Sequence, residues 1–223
     1  MKKIRILNIT FDTEIKSYEI PAFRGAIIKK AGLENILFHN HLSDNKFLFK
    51  YPLIQYKQFN NRPSIVCIEQ GVDEIHKYFE NKVWDIEYSG KIHQMKIYKL
   101  LMNQFTMQVW DKKFEYNIFN WIALNQENIK CYNNLISLTS KISLLENILK
   151  ANILSFAKGI EWTVEKPIEI NIKSINGTRK AKIKGIYMLG FNITFSTNVF
   201  IPNNIGLGKS VSLGYGIVNA IKN

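Results

Sequence analysis

Asn204-Ile205-Gly206-Leu207-Gly208-Lys209-Ser210-Val211-Ser212-Leu213-Gly214-Tyr215-Gly216 places four of the chain's 12 glycines within 11 residues. Gly-x-Gly at either end points to backbone at positive φ, or to close approach by another molecule. Between them, Lys209, Ser210 and Ser212 offer a charge and hydroxyls to an anion. A glycine-rich turn without a ligand satisfies the same pattern. Spacing excludes two phosphate-binding loops. Gly208-Lys209-Ser210 matches the end of a P-loop, but the glycine required five residues before Gly208 is Asn203. The dinucleotide fingerprint fails because Val211 stands where the third glycine is needed.

Upstream of this loop the chain is β-rich. Ile168, Ile170 and Ile172 alternate with polar residues, and Asn176-Gly177 predicts a hairpin turn. The returning strand then carries Lys180, Lys182 and Lys184 on one face and Ala181 and Ile183 on the other. Such a face is either a solvated, lysine-protected sheet edge or a ladder of phosphate contacts. A further strand, Gly190 to Ile201, leads into the glycine loop. Before all of these, residues 126–158 predict one long helix with Leu135, Leu138, Ile142, Leu145, Ile148, Leu149 and Ile153 on its core stripe, ended by Gly159.

The first half reads as β-α-β-β-α-β. Ile4, Ile6, Ile9 and Phe11 mark a strand over 2–11, and Pro21 opens a helix that Gly32 closes. Extended segments follow at Ile36 to His41 and Phe47 to Tyr56, then an apolar run from Ser64 to Ile68. Residues 72–82 predict a helix, and Ile86 to Tyr88 with Ile92 to Tyr98 return to strand. This order predicts helices on one face of an antiparallel sheet, the other face being free for a partner. Residues 106–124 are dense in aromatics and predict the junction between halves.

The chain has 223 residues, and 30 Lys plus Arg against 18 acids give a net charge of +12. That excess favours a polyanionic partner, nucleic acid before a membrane surface. Cys67 and Cys131 form no metal-ligand spacing and read as small buried hydrophobes in a reducing, cytoplasmic protein. No signal peptide or membrane-length apolar run is expected.

Phe38-His39-Asn40-His41 holds two of the four histidines. On an extended segment, His39 and His41 point the same way with Cα atoms roughly 7 Å apart. One imidazole then accepts a proton while the other donates one. Tyr51, Lys50 and Lys57 follow closely. Surface histidines without a role fit the same letters. A zinc site lacks a third ligand, because His76 and His93 fall on other elements.

These stretches together resemble a known family. Phe38-His39-Asn40-His41 with Lys50-Tyr51-Pro52-Leu53-Ile54-Gln55-Tyr56-Lys57, and the terminal glycine loop from Gly206 to Gly216, look like the CRISPR-associated endoribonucleases that cut repeat RNA into guide RNAs. The segments beginning at Asn120-Trp121 and at Asn152-Ile153 resemble the start and core helix of the distinctive C-terminal domain of the short subtype. The resemblance implies an α+β fold of two tandem ferredoxin-like (RRM-related) domains, the second a variant, divided as 1–112 and 113–223. It implies metal-independent cleavage without a cofactor, giving a 2′,3′-cyclic phosphate and a 5′-hydroxyl. The partner implied is CRISPR repeat RNA; a multisubunit CRISPR effector complex and a homodimer stay open, with no membrane partner. His39 and His41 are the expected acid–base pair, Tyr51 an alternative acid, and Lys50 or Lys57 the cation at the phosphate. Lys180, Lys182, Lys184, Gly206, Gly208, Lys209, Ser210, Gly214 and Gly216 are the expected RNA cradle.

A non-catalytic RNA-binding subunit of the same superfamily fits the lysines and glycines equally, and the His-x-His pair separates the two. If the lysine face is a phosphate ladder, replacing Lys180, Lys182 and Lys184 together weakens RNA binding and flattens its salt dependence. Binding titrations across salt concentrations check this; an unchanged slope contradicts it.

Overall fold

The computed structural model describes residues 1–40, 50–183 and 185–221. The chain divides into two compact units: Lys2–Thr106 with Ser212–Gly214, and Met107–Val211 with Tyr215 onward and Met1. The expected boundary at 112 falls inside a strand of the second unit.

In the N-terminal unit, strand β1 (Lys2–Phe11) leads to helix α1 (Ile20–Ala31), with Pro21 in its first turn and Gly32, φ 102°, at its end. Strands β2 (Ile54–Phe59) and β3 (Arg62–Ile68) form a hairpin whose turn residues Asn60 and Asn61 both take positive φ, as a tight twisted turn requires. Two short helices follow, α2 (Gln70–Glu74) and α3 (His76–Phe79). Among the described residues, strands β4 (Ile86–Tyr88) and β5 (Lys91–His93) pair only with each other. Strand β6 (Ile97–Met107) completes the main sheet, ordered β2-β3-β1-β6. The expected ferredoxin-like order is therefore present, with the last sheet strand later in the chain than the pattern of 86–98 implied.

Period-two alternation decides which residues meet the helices. Ile9, Phe11, Ile54, Tyr56, Ile65 and Cys67 share a core with Phe23 and Ile27 of α1. Phe23 meets Phe11 and Tyr56 edge-on, at centroid distances of 6.3 and 5.9 Å. The sequence pattern leaves the opposite face free; in the structure its residues Ile4, Ile6, Gln55, Lys57, Ser64, Val66 and Ile68 are all buried. Strand alternation reports that a face exists, not whether something covers it.

The C-terminal unit repeats the strand order with one element replaced. It runs through β7 (Val109–Trp121), α4 (Gln126–Asn134), α5 (Leu138–Gly159), β8 (Ile170–Ile183), β9 (Ile186–Val199) and β10 (Ile217–Ala220). The sheet is ordered β10-β7-β9-β8. Where the first unit has helices between its third and fourth sheet strands, residues 200–216 hold only the 3-10 turn Val211–Leu213. The glycine loop is that connection.

Two expectations are corrected here. The single helix over 126–158 breaks at Leu135–Ser137, because Ser137 caps a new start by accepting from the Ser140 amide at 3.0 Å. Its buried stripe is Leu145, Leu149, Ile153 and Phe156, while Leu138 is 65% exposed. Asn176-Gly177 is no turn: it lies inside β8, at a register shift between Ile175 and Gly177. The Asn176 side chain accepts from the Ser174 hydroxyl at 2.6 Å and donates to Thr194 at 2.9 Å, which holds a bulge in the strand. The chain reverses after Ile183, which pairs with Ile186.

The glycine loop is fastened through its backbone. Lys209 N donates to Ile122 O at 3.1 Å, Gly216 N to Asn120 O at 3.1 Å and Leu207 N to Gly216 O at 2.9 Å. Ile205 and Leu207 are fully buried. Gly208 adopts φ 95°, and a Cβ there would stand 2.7 Å from Trp121 Cδ1 and 3.0 Å from Ile122 O. Gly208→Ala is expected to destabilise the fold by about 1–3 kcal/mol from backbone strain alone, with the clash added. A urea midpoint equal to that of the unsubstituted protein would contradict this.

Candidate functional site

The His39 segment is curled, not extended. Ile36–Phe38 forms one 3-10 turn, and Asn40 takes φ 55°. His39 N and Asn40 N both donate to Ile36 O, at 3.1 and 2.7 Å. The strand geometry expected to align His39 with His41 therefore fails at Asn40; His41 lies outside the described residues.

His39 itself is half-buried, and its Nε2 is 2.8 Å from Leu33 O. A carbonyl only accepts, so Nε2 is the donor in this contact. The main chain beneath is held from the core side. Tyr56 donates its hydroxyl to Phe38 O at 3.2 Å, and Arg24 donates Nη2 to His39 O at 2.8 Å. Asn40 Nδ2 reaches Lys50 O at 3.4 Å. Sequence reading missed Arg24, whose only signal is a cation on the first helix among apolar neighbours.

The remaining N-terminal candidates are not equivalent. Lys50 is exposed. Tyr51 is buried, and Gln55 Nε2 donates to its hydroxyl at 2.8 Å. Burial pushes that hydroxyl far above its ordinary range, so it stays protonated at neutral pH. In this position it buttresses β2. Lys57 is fully buried, and its Nζ has no hydrogen-bond partner among the described residues. Desolvation pushes this ammonium down to about 7. Lys57, one of the two expected cations at the phosphate, thus lies on the buried face of β2, beside Ser64, which donates to Thr10.

In the C-terminal unit, Lys180 and Lys182 are exposed on edge strand β8, while Ala181 and Ile183 are buried with Ile122. Lys184 lies outside the described residues. Lys209 is exposed on the glycine loop. Lys180 and Lys209 line adjoining grooves of about 290 and 400 Å³ that share Asn125, Gln126, Ile186 and Met188. Tyr187 is 69% exposed beside them, with Lys182 Nζ 5.8 Å from its ring centroid. Sequence reading missed Tyr187 because placing the turn at Asn176-Gly177 hid its position just after the real reversal.

The glycines divide by burial. Gly206 and Gly216, expected in the RNA cradle, are buried. Gly208 is half-buried against Trp121, and Ser210 is half-buried at φ 58°. Gly214 belongs to the N-terminal unit; a Cβ on it would stand 3.3 Å from Tyr56 O. Among the described residues no group of three His, Cys, Asp or Glu side chains is placed to hold a metal. None of their helices is long and apolar enough to cross a membrane.

Comparisons with known proteins agree with this architecture. Residues 2–106 match the Cas6b N-terminal domain, and residues 108–221 match the Cas6b C-terminal domain. A crystal structure of Cas6b superposes with TM-score 0.88 at 26% identity, covering 99% of this chain and 100% of that one. A CRISPR RNA processing endoribonuclease Cas6b shares the fold, with TM-score 0.76 at 23% identity and coverage of 99% and 100%. An uncharacterised protein of Methanocaldococcus jannaschii is 40% identical over 98 residues; the match spans 44% of this chain and 65% of that protein.

Lys57 gives a pH signature. Its folded value near 7 lies below the ordinary 10.5, so between those values the unfolded chain binds more protons and stability rises with pH. Below about 7 the folded state carries a buried ammonium with no partner among the described residues. Lys57→Met is therefore expected to raise stability at pH 6 and to lose that advantage by pH 10. Denaturation of both proteins at the two pH values checks this; an equal difference at both contradicts it.

Proposed function

This chain belongs to the Cas6b family, and from that premise we propose that it is an endoribonuclease that cuts CRISPR repeat RNA within a precursor transcript. The observation that carries the reading is His39, whose imidazole is oriented by Leu33 O through Nε2. In the proposed reaction, His39 Nδ1 takes the proton of a ribose 2′-hydroxyl. The 2′-oxygen bonds to the adjacent phosphorus as the bond to the 5′-oxygen breaks, leaving a 2′,3′-cyclic phosphate. His41 supplies the proton that the leaving 5′-oxygen takes up as a hydroxyl. The nucleophile belongs to the RNA, so no metal-activated water is needed. Lys50, an exposed cation, is proposed to offset the charge that grows on the phosphate oxygens.

RNA is proposed to follow the lysine edge of β8. Lys180 and Lys182 face solvent in register, and Lys209 adds a third cation across the adjoining grooves. Exposed Tyr187 offers a ring on which an unpaired base stacks, a contact that serves single-stranded RNA.

The test uses repeat RNA from the same genome as this chain, with excess EDTA. Cleavage is expected to survive chelation. His39→Ala and His41→Ala are each expected to cut about 10²–10⁴-fold more slowly with binding little changed. Tight binding without cleavage by the unsubstituted protein would favour the RNA-binding subunit. Unchanged cleavage by both variants would reject the histidine pair.

A further inference from the structure

Arg24 is a cation in an unusual place. It sits on α1 between buried Phe23 and the core residues Ala26 and Ile27, and is itself half-buried, where desolvation disfavours its charge. No carboxylate pairs with it among the described residues, and its Nε is buried without a hydrogen-bond partner there. Its hydrogen bond to the chain runs from Nη2 to His39 O, at 2.8 Å. Its Cζ lies over the Tyr56 ring, 6.0 Å from the centroid. Tyr56 in turn donates to Phe38 O, so two adjacent carbonyls of one turn are gripped from the core side.

A half-buried cation with a buried, unmet Nε donor costs stability unless something else selects it. A methionine of similar length would fill the same space without that cost. What the guanidinium adds is a fixed, directional tie to the residue that carries the imidazole. We propose that Arg24 is a positioning residue: its bond to the His39 carbonyl sets the main chain so that the His39 ring meets Leu33 O through Nε2 and presents Nδ1 to the RNA. The inference rests on the reading of His39 as the base. Arg24 itself touches no reacting atom. Its loss acts on the rate through misplacement, where about 1 Å costs on the order of 10²-fold.

The test compares Arg24→Met, Arg24→Lys and His39→Ala in single-turnover cleavage at saturating protein, with RNA affinity measured separately. Arg24→Met is expected to cut about 10²-fold more slowly while its Kd stays within about twofold of the original. Arg24→Lys keeps one donor and is expected to recover part of the rate. ¹⁵N spectra of His39 supply a readout independent of turnover: the ring is Nε2-protonated in the unsubstituted protein, and Arg24→Met mixes the two neutral tautomers. If His39→Ala is slow but Arg24→Met keeps both the original rate and the single tautomer, the positioning role is overturned and the catalytic reading stands. If His39→Ala cuts at the original rate, the catalytic reading falls and this inference with it. An Arg24→Met protein that is slow yet keeps the single tautomer also overturns the proposal.

Discussion

The hydrogen bonds from Lys209 N to Ile122 O and from Gly216 N to Asn120 O solve the chief problem of the second half of this chain. Strands β9 and β10 flank β7, so the segment joining them must pass over it. A crossover helix satisfies its own backbone; a loop must find partners elsewhere. This loop finds them at the end of β7, and its glycines let it lie close enough to use them. Gly208 against Trp121 and buried Gly216 are consequences of that approach. The backbone of this motif braces the sheet, while Lys209 on the same loop is exposed.

A similar division between scaffold and exposed chemistry runs through the N-terminal unit. Tyr56 and Arg24 reach outward from the α1-packed core to hold the Phe38 and His39 carbonyls. The imidazole sits at the edge of that core, half-buried, with Nε2 held against the Leu33 carbonyl. Tyr51 and Lys57, close by in sequence, instead belong to the packed interior.

The readings that succeeded rest on local physics. Pro21 and Gly32 bracket α1 because one fits a helix start and the other its end. Alternation placed β1 and set Lys180 and Lys182 against Ala181 and Ile183. The readings that failed required knowledge of partners. Asn176-Gly177 spells a turn, but Ser174 and Thr194 hold it as a bulge within a strand. Lys57 sits at a position that alternation assigns to the face away from the helices, and nothing local reveals that this face is buried. The His-x-His spacing suggested an extended pair, whereas bonds to Ile36 O curl the chain at Asn40. Arg24 was illegible for the same reason, since its meaning lies in a carbonyl 15 residues away.

The central claim is that the RNA supplies its own nucleophile while His39 removes its proton. Mass analysis of the fragments released from repeat RNA tests this most directly. A 5′ fragment ending in a 2′,3′-cyclic phosphate, with a 5′-hydroxyl on its partner, is the expected result. A 3′-hydroxyl paired with a 5′-phosphate would mean attack by water on the phosphate, and would contradict the account.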